Sequence, residues 1–151
     1  MSKNFISENL YQKIISLIPI SCVDLVIKKN DSFLLVKRLE NPAKNQWWFP
    51  GGRILFNESR QQAVKRKLKE ELNIKNPQRI KFLGVGETKF KKGKFNKPIH
   101  TINNVFLVEL TKKESTGIRS DPTIAQCKWF NSIQKGFHPY LKKFLKLAGF
   151  K

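Results

Sequence analysis

The sequence is poor in residues that build covalent or metal-clamped frameworks: its 151 residues include two cysteines, Cys22 and Cys127, and two histidines. Two well-separated cysteines make neither a zinc site nor a disulfide framework, so we expect both to be small buried residues. No apolar run reaches the roughly 18 residues that a membrane helix needs. Polar residues also interrupt the N-terminus where a signal peptide is apolar. We therefore expect a cytoplasmic protein without a membrane partner.

Acidic residues are also scarce, 11 against 30 lysines and arginines, which gives a formal net charge of +19. A charge of this sign favours polyanionic partners and attracts phosphate-bearing small molecules. The lysines are scattered along the chain, and the densest cluster, at residues 89–97, is modest. We therefore favour a basic solvated surface over a dedicated nucleic-acid site, because a basic composition alone is weak evidence for such a site.

The apolar pattern indicates alternating helices and strands without repeats or an interdomain linker. Helical spacing and β-branched runs predict helices at residues 8–18, 59–72 and 138–147 and strands at residues 22–28, 33–37, 80–86, 102–110 and 126–130. Turn residues 29–32 join the first two strands into a β-hairpin. This order suggests a mixed sheet packed between helices.

Three charged residues share one face of the helix predicted at residues 59–72. Lys67, Glu70 and Glu71 lie at positions i, i+3 and i+4, displaced from the apolar stripe. The two carboxylates can flank one hard cation at the helix edge, and Mg²⁺ prefers such oxygen ligands. Arg66 lies four residues before Glu70 and can hold it by an ion pair. Taken alone, an acidic pair of this kind is more often a solvated helix face.

Glycines and arginines that can approach a phosphate group precede this helix. Gly51 and Gly52 let the backbone come close to a ligand and permit positive φ angles, so a carbonyl could turn towards a metal. Arg38 and Arg53 are candidates to clamp phosphate oxygens with two hydrogen bonds each. Glu58 favours the positive end of the helix dipole and can brace the loop before the helix.

The spacing of these residues forms one long motif. It consists of Gly52, five residues, Glu58, seven residues, Arg66, and then Leu68, Glu70, Glu71 and Ile74. This pattern resembles the box of the Nudix hydrolases, and a match of this length is far more specific than an acidic pair. The resemblance implies an α/β fold, a Nudix-like α/β/α sandwich with a mixed β-sheet, as a single domain over residues 1–151 with the box at residues 52–74. It also implies a hydrolase that requires Mg²⁺ or Mn²⁺ and acts on a nucleoside diphosphate linked to another group.

Within the box, the resemblance implies catalytic roles for four residues. It assigns metal ligation to Glu71 together with Glu70. It assigns orientation of the helix and its preceding loop to Glu58 and Arg66. The small-molecule partner that these roles serve is a nucleoside diphosphate derivative.

Two residues depart from the family's box. Asn73 replaces a glycine, which is a mild change because asparagine tolerates the same backbone conformation. Lys67 replaces the first glutamate of the Arg-Glu pair, which removes a carboxylate and places a cation beside the site. We therefore expect fewer metals, and Lys67 is also a candidate to contact phosphate.

Outside the box, the chain is similar to the GDP-mannose mannosyl hydrolase branch of this family over nearly its whole length. The similar positions include Asp24 and residues 33–35, 37–38, 41–43, 48–53 and 128–130. In that branch, water attacks carbon 1 of the sugar and a nucleoside diphosphate leaves. The similarity implies that Arg38 and Arg53 contact the diphosphate, that Asp24 contacts the sugar or the base, and that the carbonyl of Gly51 contacts the metal.

This branch has a metal-binding glutamine and a general-base histidine where the present chain has Thr123 and Ile124. Isoleucine cannot accept a proton, so the mannosyl-transfer mechanism is not supported at the residue that should run it. Glu70, His100 and Asp121 remain as candidates for a base.

The sequence is consistent with three functions. The leading hypothesis is a Mg²⁺-dependent hydrolase of a nucleotide sugar such as GDP-mannose. The second is a nucleotide pyrophosphohydrolase in which water attacks phosphorus. The third is a degenerate Nudix domain that binds nucleotide or RNA without turnover. Trp47, Trp48 and the N-terminal helix are consistent with a homodimer, with core packing, or with a stacking platform for a base.

Overall fold

The computed structural model describes residues 6–118 and 124–151, and over these residues the chain forms four α-helices and seven β-strands. The helices are α1 Glu8–Leu17, α2 Arg60–Leu72, α3 Lys112–Thr116 and α4 Pro139–Leu147. The strands are β1 Ile20–Lys29, β2 Ser32–Arg38, β3 Trp47–Trp48, β4 Gly51–Arg53, β5 Arg79–Phe90, β6 Ile99–Glu109 and β7 Ile124–Phe130. The two-residue β3, the three-residue β4 and the five-residue α3 were not predicted, because segments this short carry too few residues to show a period.

The strands form one mixed sheet in the order β3-β2-β1-β6-β5, with β4 paired to β1 and β7 paired to β2. The central pair, β1 and β6, is parallel over residues 20–28 and 101–109. The remaining pairs are antiparallel. The expected hairpin of β1 and β2 is present, with Lys29 opposite Ser32 at the turn.

The hairpin opens away from its turn. β1 and β2 pair as far as Ile27 and Leu34, and beyond that point β1 pairs with β4 while β2 pairs with β3 and β7. Residues 47–53 therefore cross the gap between the two diverging strands. This crossing brings Gly51 opposite Asp24 in the middle of the sheet.

Each face of the sheet is covered by its own apolar core. Along β1, Val23, Leu25 and Ile27 belong to the core beneath α2, whereas Val26 belongs to the core beneath α4. This alternation follows from the two-residue period of a strand. Helices on both faces of a mixed sheet confirm the expected α/β/α sandwich.

The helix α2 follows the predicted bounds closely. Ser59 is its N-cap, and a capping box joins the Ser59 side chain to Gln62. Four side chains of the helix are fully buried against the sheet, namely Ala63, Val64, Leu68 and Leu72. The helix ends at Asn73, whose backbone is left-handed with φ 57° and ψ 30°.

The tryptophans belong to the core on the α4 side. Trp48 is buried and stacks on Tyr140 with ring centroids 5.6 Å apart, and Trp47 packs edge-on against Phe130. Trp48 therefore lies in this core and Trp47 packs against it, and Trp48 also borders a cleft. Cys22 and Cys127 are partly exposed, so the expectation that both cysteines are buried was wrong; each lies on a strand and packs against a core without being enclosed by it.

The left-handed end of α2 predicts opposite effects for two substitutions. Asn73→Ala should lower the free energy of unfolding by about 1 kcal/mol, because a Cβ without a polar group crowds the backbone in this conformation. Asn73→Gly should preserve or raise stability, since glycine has no Cβ. Urea unfolding of both variants tests this, and equal losses in the two would contradict it.

Candidate active site

The guanidinium group of Arg66 ties α2 to the loop that precedes it. Its Nε lies 2.6 Å from Glu58 Oε1, and its Nη2 donates to Glu58 Oε2 at 3.0 Å and to the carbonyl of Arg53 at 2.9 Å. Its Nη1 donates to Glu70 Oε2 at 3.1 Å, which is the ion pair expected one helical turn apart. One planar group therefore sets the position of a loop, a strand and the acidic end of the helix.

Glu58 completes this bracing from the loop side. Its Oε2 also accepts a hydrogen bond from the backbone N–H of Leu55 at 2.9 Å. The hydrogen bond from Arg66 lowers the pKa of the Glu58 carboxyl below its usual range. The carboxylate is thus held ionised, and it braces the loop as the sequence suggested.

Lys67, Glu70 and Glu71 do share one face, and they contact one another. Lys67 Nζ lies 2.8 Å from Glu71 Oε1 and 3.6 Å from Glu70 Oε2. The other oxygen of Glu71 accepts a hydrogen bond from the backbone N–H of Gly51 at 3.3 Å. Burial raises the pKa of the Glu71 carboxyl, and the Lys67 ammonium opposes that effect. The Lys67 ammonium therefore stabilises the ionised form of Glu71.

Gly51 and Gly52 allow neighbouring segments to pack closely, and neither adopts an unusual backbone conformation. The positive φ angles expected for them are absent: within the described chain, positive-φ glycines are Gly84 and Gly149. Gly51 and Gly52 instead lie in β4, where pairing with β1 holds the backbone extended. A Cβ on Gly51 would lie 2.1 Å from the carbonyl oxygen of Val23, so a side chain there is excluded.

A cleft of about 260 Å³ opens beside this cluster, on the side of the sheet where the hairpin splays. All three predicted substrate-binding residues, Asp24, Arg38 and Arg53, line it, together with Gly51. Polar side chains from β5 and β6 and several aromatic rings complete the wall, among them Thr88, Thr101, Asn103, Tyr11 and Phe90. The structure thus brings residues from distant parts of the chain into one concave, mixed polar and apolar site.

Asp24 is a buried carboxyl group at the wall of this cleft. Its Oδ2 accepts a hydrogen bond from the hydroxyl of Tyr140 at 2.6 Å. Burial raises the pKa of Asp24 to about 7, against the lowering effects of the Tyr140 hydrogen bond and the Arg38 charge. Sequence reasoning missed Tyr140, because it lies 116 residues away on a helix that showed an apolar pattern alone.

Arg38 and Arg53 differ in the contacts that their guanidinium groups make. The Nε of Arg38 is buried and has no hydrogen-bond partner within the described ranges. The guanidinium of Arg53 lies 5.2 Å from the centre of the Tyr11 ring, in a cation–π contact. A buried donor without a partner is costly, so Arg38 has an N–H group to offer an anion in the cleft.

The candidate bases fall in different places. Glu70 is engaged by Arg66 and lies near Lys67. His100 lies outside the cleft, with Nε2 3.1 Å from Glu87 Oε1. Asp121 and Thr123 lie outside the described residues. Ile124 begins β7 opposite Arg38, so the strand register places it at the edge of the site.

The oxygen donors at the helix end fit one hard divalent cation. Each Glu71 oxygen keeps lone pairs beyond the contact it already makes. Over residues 6–118 and 124–151, no cluster of three His, Cys, Asp or Glu side chains could hold a metal by itself. Such a cation would take its remaining ligands from water and substrate phosphates, as Mg²⁺ commonly does.

Comparison with known proteins agrees with this fold. A model of the NUDIX domain matches residues 19–146. The chain is 30% identical over 144 residues to the low-salt glycan biosynthesis protein Agl8 of Haloferax volcanii, covering 93% of this chain and 88% of that protein. It is also 39% identical to an ADP-ribose pyrophosphatase of Methanocaldococcus jannaschii over 56 residues, which is 37% of this chain and 33% of that protein.

Solved structures share the same architecture. The MutT NUDIX hydrolase from Burkholderia pseudomallei has a TM-score of 0.71 at 23% identity, covering 87% of this chain and 98% of that one. The NUDIX domain of Shewanella oneidensis NrtR complexed with ADP ribose has a TM-score of 0.68 at 20% identity, covering 95% and 97%. These matches show the fold. The family model and the 30% identical relative establish that this chain belongs to the NUDIX domain family, a family of hydrolases. No helix of the described chain is long and apolar enough to cross a membrane.

The Arg66 contacts predict a large effect for a conservative change. Arg66→Lys keeps the charge but loses the planar fork that reaches Glu58, the Arg53 carbonyl and Glu70 at once. We expect the free energy of unfolding to fall by about 1–3 kcal/mol, measured by urea denaturation. Arg79→Lys is the matched control, because Arg79 makes one exposed contact of 3.7 Å with Glu109, and it should cost less than about 0.5 kcal/mol. Equal losses in the two variants would refute the bracing role.

Proposed function

We propose that this protein is a Mg²⁺-dependent hydrolase of a nucleoside diphosphate derivative, with a nucleotide sugar such as GDP-mannose as the substrate class. The observation that carries this proposal is the adjacency of Glu71 to a cleft lined by Arg38 and Arg53. Glu71 is hydrogen-bonded to Gly51, which itself lines the cleft. An acidic group for a metal and two guanidinium groups for an anion therefore border one cavity.

The arginines serve the diphosphate. Arg38 has a buried Nε without a hydrogen-bond partner among the described residues. The guanidinium of Arg53 lies over the ring of Tyr11, which is part of the cleft wall. Guanidinium groups bind phosphate oxygens with paired hydrogen bonds and remain charged at any physiological pH. The net charge of +19 adds a long-range attraction for the anionic substrate.

Asp24 serves the sugar or the base. With a pKa of about 7, its carboxyl is present in both protonation states near neutral pH, so it can accept or donate a hydrogen bond to a hydroxyl group. Tyr140 fixes its orientation. Neighbouring polar side chains at Thr101 and Asn103 offer further hydrogen bonds to a polyhydroxylated ligand.

Glu71, with Glu70 and the carbonyl of Gly51, would hold the divalent cation. When bound, that cation supplies positive charge for the diphosphate and for the leaving group. Glu58 and Arg66 act as positioning residues, because their contacts hold the loop and the helix end in register. The similarity to a glycan biosynthesis protein over most of both chains supports a sugar-linked substrate.

Attack at phosphorus is the second candidate. The similarity to an ADP-ribose pyrophosphatase spans the shorter stretch of 56 residues and favours it. Ile124, which cannot accept a proton, also stands where the sugar-attacking branch has its base. A protein that binds nucleotide or RNA without turnover is the third candidate, and the net charge motivates it. The arrangement of Glu58, Arg66, Glu70 and Glu71 argues against it, because a protein that only binds does not need these residues in this arrangement.

The metal role of Glu71 predicts a sharp loss of activity. Purified protein is screened with nucleoside diphosphate sugars and with nucleotides in Mg²⁺ or Mn²⁺, and both products are identified. Glu71→Gln should lower Mg²⁺-dependent turnover by about a hundredfold or more, because the bound cation contributes several kcal/mol of charge stabilisation. Glu87→Gln is the control, since Glu87 lies on an exposed part of β5 beside Lys89, and it should keep full turnover. Unchanged turnover in Glu71→Gln would show that Glu71 does not hold the metal.

Hydrolysis in ¹⁸O-water separates the two enzymatic candidates. If water attacks carbon 1, the label appears in the released sugar and mass spectrometry finds none in the nucleotide. Label in a phosphate group would instead establish attack at phosphorus. Salt-sensitive RNA binding with no product from any substrate would favour the binder.

A further inference from the structure

We infer that the Lys67 ammonium is a built-in cation that occupies the place of a divalent metal between Glu70 and Glu71, which limits the site to one metal ion. This inference rests on the proposed metal site and deepens it. Nζ lies 2.8 Å from Glu71 Oε1 and 3.6 Å from Glu70 Oε2, so it bridges both carboxylates. No other residue of the described chain is recorded in an ion pair with Glu71.

The position of the ammonium is set by packing. The Lys67 side chain is 16% exposed and that of Glu71 is 14% exposed, so water screens their attraction weakly. The lysine stem passes over Gly52: a Cβ there would lie 2.9 Å from Lys67 Cε and 3.2 Å from Nζ. The missing side chain at Gly52 thus provides the space in which the lysine reaches Glu71.

The local charge balance also favours a single metal ion at this site. Three carboxylates, Glu58, Glu70 and Glu71, face two cations, Arg66 and Lys67. One negative charge is left over, which suits a single divalent cation completed by substrate phosphates. Without the ammonium, two negative charges would remain. Lys67 therefore carries a charge that a second metal ion would otherwise supply.

A phosphate-binding role for Lys67 fits the geometry less well. Arg38 and Arg53 line the cleft themselves, whereas Lys67 lies against it through Gly52. Its ammonium points instead to the carboxylate pair. We therefore expect substitution of Lys67 to change metal binding more than nucleotide binding.

Binding of Mn²⁺ alone tests the inference without any turnover. Free Mn²⁺ is measured by electron paramagnetic resonance during titration of the wild-type chain and the Lys67→Glu variant. Wild type should bind one ion. Lys67→Glu places three carboxylates at i, i+3 and i+4 and should bind a second ion, or bind the first about tenfold more tightly. Lys65→Glu is the matched control, since Lys65 is exposed on the same helix and the charge change is identical, and its Mn²⁺ binding should equal that of wild type.

A second variant covers the chance that the extra carboxylate unfolds the chain. Lys67→Met removes the ammonium without adding a charge, and it should also tighten binding of the first Mn²⁺ ion. Two ions on wild type, equal Mn²⁺ binding by wild type and both Lys67 variants, or weaker nucleotide binding by Lys67→Met with unchanged Mn²⁺ binding would each overturn the inference. If the expected Mn²⁺ pattern appears but no substrate is hydrolysed, the proposed function fails and the inference about Lys67 stands.

Discussion

The guanidinium group of Arg66 is the interaction on which the site depends. It reaches the loop at Glu58, the strand at the carbonyl of Arg53 and the helix at Glu70 through contacts of 2.6 to 3.1 Å. A planar group with five fixed donors can make such contacts at once, whereas a flexible ammonium cannot. Because Arg53 also lines the cleft, the same group that orders the acidic helix end also positions part of the cleft wall.

The divergence of β1 and β2 explains why the cleft lies where it does. The hairpin strands separate beyond Ile27 and Leu34, and the short strands β3 and β4 occupy the gap. This brings the backbone of Gly51 between Asp24 on one side and Glu71 on the other. A side chain at this position would collide with β1, so the close approach of β4 to β1 requires glycine. The cleft is thus a direct product of strand pairing.

Each buried or partly buried carboxyl group in this region has a cation or a hydrogen-bond donor as its partner. Arg66 neutralises Glu58 and Lys67 neutralises Glu71, while Asp24 is held by a tyrosine hydroxyl and titrates near neutrality. Buried charges are tolerated when partners compensate for lost hydration, and removal of one partner leaves the other costly. The departure from the family box at Lys67 is therefore a coherent part of the site. It places an ammonium group beside Glu71 where the family's box has a carboxylate.

Much of the fold and part of the site could be predicted from the sequence. Helix α2, its cap at Ser59, its left-handed end at Asn73 and the pairing of Arg66 with Glu70 all follow from interactions within a few residues. The spacing from Gly52 to Ile74 indicated the family for the same reason, because its residues lie on one loop and one helix. Local periodicity likewise predicted the hairpin and the strands around it.

Tertiary structure alone decided the rest. The hydrogen bond from Tyr140 to Asp24 joins residues 116 positions apart, and no local pattern marks it. The extended conformation of Gly51 and Gly52 arises from pairing with β1, which is why the positive φ angles expected from glycine did not occur. The sequence suggested a phosphate contact for Lys67, whereas in the structure its ammonium passes over Gly52 and pairs with Glu71. Sequence determines what is local to a helix or strand, while contacts across the sheet depend on where distant segments pack.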